Sequence, residues 1–123
     1  MASYDLDILQ GSLEKLIDDD AQIQGAAIVS PDGLILVSTL KDRDKNDRLA
    51  AMTSEMLTAG NMTTSEMELG SLFLSMVFGT EGGVAVRGID HEMVLCTIFS
   101  RSANVGNVVQ HINRTVKRIS ATV

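Results

Sequence analysis

The decisive stretch of this chain is residues 71–80, SLFLSMVFGT, which contains no charged residue and no proline. Apolar side chains recur at every second position, and further apolar residues stand between them. Because successive side chains of a strand point to opposite faces of a sheet, this pattern predicts a strand that is covered on both faces. One face would carry Leu72, Leu74, Met76 and Phe78, and the other Ser71, Phe73, Ser75 and Val77. A long uncharged strand is a pairing hazard at a sheet edge, so we expect another strand, from this chain or a second copy, to lie against it.

Two more strands are predicted directly after this stretch. Residues 81–83 indicate a turn, residues 84–89 a strand, residues 90–92 another turn, and residues 93–99 a third strand. Together with residues 71–80 they predict an antiparallel meander whose first strand can lie at an edge. We expect Met76→Lys and Phe73→Asp to disrupt the fold or the assembly, since each would bury an unpaired charge.

The amino-terminal part predicts a helix followed by a hairpin. Leu6, Leu9, Leu13, Leu16 and Ile17 recur at helical spacing, which indicates an amphipathic helix capped by Ser3 and ending near Asp18. The acidic residues 18–20 are adjacent rather than alternating, which favours a solvated helix end over a calcium loop. Residues 25–30 and 34–40 then read as two strands joined at 31–33, Pro-Asp-Gly, whose backbone preferences suit a tight turn.

A second helix is predicted over residues 48–63, capped by Asn46 or Asp47. Its apolar stripe consists of Leu49, Met52, Met56, Ala59 and Thr63, widened by Ala50, Leu57 and Met62. The methionines Met52, Met56, Met62 and Met67 allow two interpretations, because flexible thioethers suit both an adaptable partner-binding surface and an ordinary core. A helix face packed against an identical subunit would satisfy both. The sequence Ala-Gly-Asn at 59–61 predicts a bend or a close approach of another element.

The last apolar repeat, from Val105 to Ile119, predicts a third helix. The predicted order of elements is α-β-β-α-β-β-β-α, within one domain over residues 1–123. This order indicates an α/β (α+β) fold, in which a five-stranded antiparallel sheet has helices on both faces.

Composition excludes several classes of function. A net charge of −6, three phenylalanines, one tyrosine and no tryptophan provide neither the basic surface nor the stacking rings of a nucleic-acid binder. The single cysteine excludes an internal disulfide. The sequence shows no signal-peptide pattern and no apolar run near the ~20 residues of a membrane helix. We therefore expect a soluble, cytoplasmic protein without nucleic-acid partners or membrane insertion.

No catalytic pattern stands out. His91 and His111 have no cysteine or carboxylate at metal-ligand spacing, and Cys96, inside a strand without a nearby base, suits a small buried residue better than a nucleophile. Gly79, Gly82 and Gly83 indicate turns, since neither a helix nor a Lys-Ser/Thr pair follows them. Arg87 is a charge within a strand, and pairing inside the chain, exposure at an edge and pairing with a partner all stay open. We expect no catalytic residue, no metal and no cofactor.

Several motifs resemble the Roadblock/LC7 family over residues 25–119. They are GAAIVSPDGLILVST, the methionine-rich helix after a polar loop, EGGVAVRGIDHEMVLCTIF, and SANVGNVVQHINRTVKRI. The most telling are Ser30-Pro31-Asp32-Gly33-Leu34, the glycine at Gly82 or Gly83 before Val84-Ala85-Val86-Arg87, and Asn104-Val105-Gly106. None of these is a catalytic signature, so the resemblance depends on their order and spacing. It implies the profilin-like Roadblock/LC7 architecture.

The resemblance also implies an assembly and a role. It implies a homodimer in which the third strand pairs with its twofold mate and the second helices pack side by side. The implied dimer interface contains Ser71, Phe73, Ser75, Met76, Val77, Met52, Met56 and Ala59. Prokaryotic relatives regulate small Ras-like GTPases, and the implied partner-binding residues are Arg48, Met52, Glu55, Met56 and Ala59. The family's eukaryotic members imply an alternative, a dimeric scaffold subunit without a GTPase partner.

Overall fold

The computed structural model describes residues 5–122 of the chain, which form eight helices and strands. They are α1 (Leu6–Asp19), β1 (Ile23–Val29), β2 (Ile35–Ser38), α2 (Arg43–Glu66), β3 (Ser75–Gly79), β4 (Gly82–Gly88), β5 (Val94–Ser100) and α3 (Val105–Thr122). The strands form one antiparallel sheet in the order β2-β1-β5-β4-β3. The predicted element order, the hairpin and the meander are confirmed.

The sheet lies between two layers of helix. Helices α1 and α3 pack on one face, where the larger apolar cluster includes Leu9, Leu13, Leu95, Phe99 and Ile112. Helix α2 packs on the other face over a smaller cluster that includes Ala27, Val29, Ala50, Val86 and Cys96. β1 and β5 are two of the three inner strands and have cover on both faces, so most of their residues are buried.

Strand β3 is shorter than the predicted strand over residues 71–80. Its pairing with β4 begins at Ser75, opposite Val86, and β4 itself ends at Gly88. The residues before Ser75 find other contacts: Leu72 lies against Gly60 of α2, and Phe73 stacks with the Arg87 guanidinium, 4.2 Å from its ring centroid. The predicted turn at 81–83 is also displaced, because Gly82 and Gly83 belong to β4 and the turn is Thr80-Glu81.

The sidedness predicted for β3 is confirmed for the residues that form it. Met76 packs against the cluster beneath α1 and α3, and Phe78 meets Phe99 of that cluster edge to face, with ring centroids 5.6 Å apart. Val77, on the α2 side, is 54% exposed. Phe73 is 56% exposed as well, so the expectation that Phe73→Asp would bury a charge is wrong for the single chain.

Helix α2 starts five residues earlier and ends three residues later than predicted. Asp42 is the cap: its Oδ1 accepts hydrogen bonds from the backbone N–H groups of Asp44 (2.9 Å) and Lys45 (3.3 Å). Asn46 lies inside the helix and connects it to the end of β2. Its amide donates a hydrogen bond to the Leu40 carbonyl, and its Oδ1 accepts one from Ser38 Oγ. Gly60 does not interrupt the helix, and its missing side chain makes room for Leu72.

Helix α1 is capped by Asp5, whose carboxylate accepts from the N–H groups of Asp7 and Ile8. The cap predicted at Ser3 lies outside the described residues. Residues 18–20 are confirmed as the helix end, since α1 ends at Asp19 and the Asp20 carboxylate accepts a hydrogen bond from the Gln22 N–H. The predicted solvation is wrong for Asp20, whose side chain is only 13% exposed.

The caps of α2 provide a matched pair of variants. Asp42→Ala is expected to lower the free energy of unfolding by about 1 kcal/mol, because it removes the acceptor for two N–H groups of the first turn. Asp47→Ala, at one of the two cap positions predicted from the sequence, removes an exposed carboxylate inside the helix and is expected to change the free energy of unfolding by less than about 0.5 kcal/mol. Urea unfolding of both variants at equal protein concentration compares them. An equal loss in the two would contradict this assignment of the cap.

Candidate interaction surface on the second helix and the edge strand

Helix α2 buries little of itself within the chain. Ala50 and Thr53 are its only buried residues. Met56 is half-buried against the smaller apolar cluster, whereas Met52 is 50% exposed, and Met62 and Met67 are more exposed still. Within a single chain, three of the four methionines therefore lie on the surface, and the core interpretation holds only for Met56.

An apolar groove of about 480 Å³ runs between α2 and the outer strands; we call it the edge groove. Its lining consists of Leu49, Met52, Thr53, Glu55, Met56, Ala59, Val77 and Val84. The structure thus brings together five of the residues predicted from the sequence, Met52, Glu55, Met56, Ala59 and Val77. Glu55 supplies the only charge in this lining.

The edge groove continues towards the carboxyl end of α2. The continuation shares Met56, Ala59 and Val77 with it and adds Leu72, Leu74, Ser75 and Met76. β3 ends the sheet on this side, and no strand within residues 5–122 pairs with its outer edge. The edge groove, its continuation and the free edge of β3 form one surface, which we call the edge face.

The remaining predicted residues are dispersed. Ser71 lies beside Met62 and Gly70 in a separate polar groove at the end of α2, and Phe73 turns towards Arg87. Arg48 lies on the other flank of α2, in a groove lined by Gln24, Leu40, Lys45, Arg48, Leu49, Met52 and Ile98. Sequence reasoning missed Leu49, Thr53 and Val84 in the edge groove. Leu49 was recognisable as part of the apolar stripe of the second helix. Val84 reaches the groove only because β4 pairs with β3 in the sheet.

Arg87 is paired within the chain. Its Nη1 donates a 2.7 Å hydrogen bond to the Gly88 carbonyl, and the guanidinium covers the Phe73 ring. Its Nε is buried and makes no hydrogen bond within residues 5–122. Because a cation over an aromatic face is attracted to the ring, Arg87 holds the segment before β3 against the sheet.

Cys96 is buried, as predicted. It lies on the α2 face of β5, and burial raises the pKa of its thiol to about 11, with a hydrogen bond to Thr53 acting in the opposite direction. Since the thiolate is the nucleophilic form, this environment suppresses thiol reactivity at neutral pH.

We expect ionisation of the Cys96 thiol to lower the free energy of unfolding at alkaline pH. Its pKa is raised in the folded state, from 9.0 to about 11, so the stability it contributes is present below pH 9 and is lost as the pH rises towards 11. Compared with Cys96→Ala, the native chain should lose up to about 2–3 kcal/mol more unfolding free energy across that window. Parallel slopes for the two proteins in urea titrations at several pH values would contradict the assignment.

Neither histidine forms a metal site with other residues in the described part of the chain. His111 Nδ1 lies 3.2 Å from Asp20 Oδ2, which links α3 to the end of α1, and His91 is exposed in the β4–β5 turn. Among residues 5–122 no group of three histidine, cysteine or carboxylate side chains is placed to hold a metal ion. No helix in the same range is long and apolar enough to cross a membrane.

The fold and the edge face define a small α/β domain with an open sheet edge beside an exposed helix. The family model described as the Roadblock/LC7 domain matches residues 9–99, and the chain belongs to this family. A Roadblock/LC7 domain from Streptomyces avermitilis superimposes with a TM-score of 0.85 at 18% identity, covering 92% of this chain and 95% of the other. Myxococcus xanthus MglB gives 0.85 at 15% identity, with 99% and 92% covered. An uncharacterized protein from Methanocaldococcus jannaschii is 26% identical over 99 residues, 80% of this chain and 86% of its own.

Proposed function

We propose that the protein is a non-catalytic homodimer that binds a small Ras-like GTPase through its paired second helices and modulates the nucleotide cycle of that GTPase. The observation that carries the proposal is the edge face, where an unpaired, uncharged strand edge continues into an exposed methionine-bearing helix. Membership of the Roadblock/LC7 family and the likeness to MglB support the same role.

Two copies joined along β3 would form one continuous sheet. Twofold pairing of an antiparallel edge is self-complementary, so each copy satisfies the backbone groups of the other. The same arrangement would place the two α2 helices side by side and bury Val77 and Met56 in the seam. The outward surface of the helix pair, with Arg48, Met52 and Glu55, would then face the GTPase.

A regulator of this kind needs no catalytic residue of its own. Hydrolysis by a small GTPase depends on the placement of its switch residues and the attacking water. A partner that binds one arrangement of the switches more tightly shifts the population towards it. The proposed mechanism is therefore selection of a switch conformation, and the surface of α2 supplies the differential contacts.

The test is capture of partners from the protein's own cell lysate, with GDP or a non-hydrolysable GTP analogue added in parallel. Enrichment of a small GTPase with the analogue alone indicates a hydrolysis regulator or an effector, and enrichment with GDP or without nucleotide indicates an exchange role. Nucleotide-independent capture of large non-GTPase partners would replace the proposal with a dimeric scaffold. Light scattering at micromolar concentration tests the dimer separately, and a monomer mass would contradict it.

A further inference from the structure

Helix α2 is too narrow to cover its face of the sheet. Five strands spaced roughly 4.8 Å apart span about 20 Å, whereas a helix with its side chains is about 10 Å wide. Sheet surface therefore stays open on both sides of α2. The edge groove occupies the side towards β3 and β4, and the groove that holds Arg48, of about 390 Å³, occupies the side towards β1 and β5. We call the second one the flank groove.

The two grooves share Leu49 and Met52 but differ in charge. The edge groove has Glu55 in its lining, whereas the flank groove has Lys45 and Arg48 and no acidic residue. Lys45 and Arg48 are three residues apart, so they stand on the same side of the helix, one turn from each other. Within residues 5–122 neither side chain forms an ion pair with a carboxylate. Two unpaired cations thus border a groove whose floor includes Leu40, Leu49 and Ile98.

A dimer joined through β3 would leave the flank groove open. Gln24 and Ile98 belong to β1 and β5, which are separated from the β3 edge by β4. The local positive charge is also unusual in a chain with a net charge of −6. Beyond Gln24 the surface changes sign, since Glu14 and Asp18 line the next groove with Lys41. The positive, apolar patch is therefore short.

We propose that the flank groove binds a short acidic and apolar segment of the partner protein, with aliphatic side chains on Leu40, Met52 and Ile98 and carboxylates beside Lys45 and Arg48. The apolar floor would supply most of the affinity and the two cations would supply selectivity. This proposal deepens the proposed function and rests on it in one respect, that the second copy pairs with the free edge of β3. The flank groove would then determine which partner sequences bind.

The test uses two short helical peptides that carry leucines at helical spacing, one with glutamates between them and one with lysines in the same places. The net negative charge of the protein favours the lysine peptide by long-range attraction, whereas the flank groove favours the glutamate peptide. We expect the glutamate peptide to bind more tightly. Methyl NMR spectra are expected to show its contact as shifts of Leu40, Met52 and Ile98.

A matched pair of charge variants locates the contact. Lys45→Glu combined with Arg48→Glu is expected to weaken binding of the glutamate peptide by roughly tenfold or more, because electrostatic attraction becomes repulsion at both positions. Arg114→Glu combined with Lys117→Glu makes the same change in net charge on exposed residues of α3 and is expected to leave binding within about twofold.

Four outcomes would overturn the proposal. The first two are absent binding of the glutamate peptide and tighter binding of the lysine peptide, and the third is equal weakening by both variant pairs. The fourth is a change of the Leu40 and Ile98 methyl signals with protein concentration alone, since a second copy would then be the occupant. The GTPase capture experiment is independent of these peptides, so a GTPase captured by a protein that ignores them would refute the flank groove and leave the proposed function standing.

Discussion

Gly83→Ala is expected to destabilise the fold by about 2–3 kcal/mol, although it adds a single carbon atom. A Cβ at Gly83 would lie 2.5 Å from Phe99 Cζ and 2.9 Å from the backbone oxygen of Val77. Phe99 is buried in the larger cluster and packs edge to face with Phe78, so its ring has no free space to move into. Relief of the contact with the Val77 oxygen would require β3 to move away from β4. The melting temperature should fall by roughly 10 °C.

Gly88→Ala is the matched control, in the same strand. A Cβ there would meet no atom within 4 Å, so the variant should be neutral or stabilising by up to about 1 kcal/mol through a smaller unfolded-state entropy. Thermal unfolding of both variants at one protein concentration compares them, because the stability of a dimer depends on concentration. Similar melting temperatures for the two would show that the packing of Phe99 tolerates a side chain at Gly83.

The outline of the fold was predictable because its signals are local. Alternation of apolar residues indicates a strand and a 3.6-residue repeat a helix, and the turns carry their own residue types. Residues 31–33, for example, place Gly33 at a φ of 93°, which glycine adopts without strain, and the Ser30 hydroxyl donates to Asp32. That hydrogen bond is the main cause that lowers the pKa of Asp32.

The ends of β3 and α2 were not predictable, because they depend on distant contacts. Residues 71–74 continue the alternation of a strand, but pairing starts only at Ser75, although β4 runs on to Gly88. Leu72 and Phe73 instead contact Gly60 and Arg87. At the start of α2, the predicted caps Asn46 and Asp47 have suitable side chains, and so does Asp42, which is the observed cap. The Asn46 amide is instead occupied by a hydrogen bond to the Leu40 carbonyl, in the loop between β2 and α2.

The candidate site also contains residues that were predictable from the sequence and residues that were not. Met52, Met56 and Ala59 were predicted together because helical spacing places them on one face. Their neighbours Val84 and Ile98 come from separate strands and belong to different grooves, which only the sheet order reveals. The exposure of Met52 and Met62 depends on which side of α2 faces the sheet, and a linear pattern does not contain that orientation.

Val77→Glu is expected to weaken the proposed dimer by roughly 100-fold or more, since its seam would receive two carboxylates without partners in place of two valines. Val77 is exposed in the single chain, lies in the edge strand and lines the edge groove with Met56 and Ala59. The chain itself should stay folded, because its own core does not cover this side chain. Light scattering over a dilution series measures the assembly, and circular dichroism measures the fold.

Val105→Glu is the matched control, because it makes the same substitution at another exposed valine. Val105 begins α3, where a carboxylate is favourable near the helix amino terminus, so this variant should remain a dimer of native stability. If both variants dimerise equally, the seam lies away from β3. If Val77→Glu alone yields monomers, GTPase capture by that variant, with each nucleotide in turn, distinguishes two modes of GTPase binding. Loss of capture indicates that the GTPase contacts both α2 helices at once, and retained capture indicates that one helix suffices.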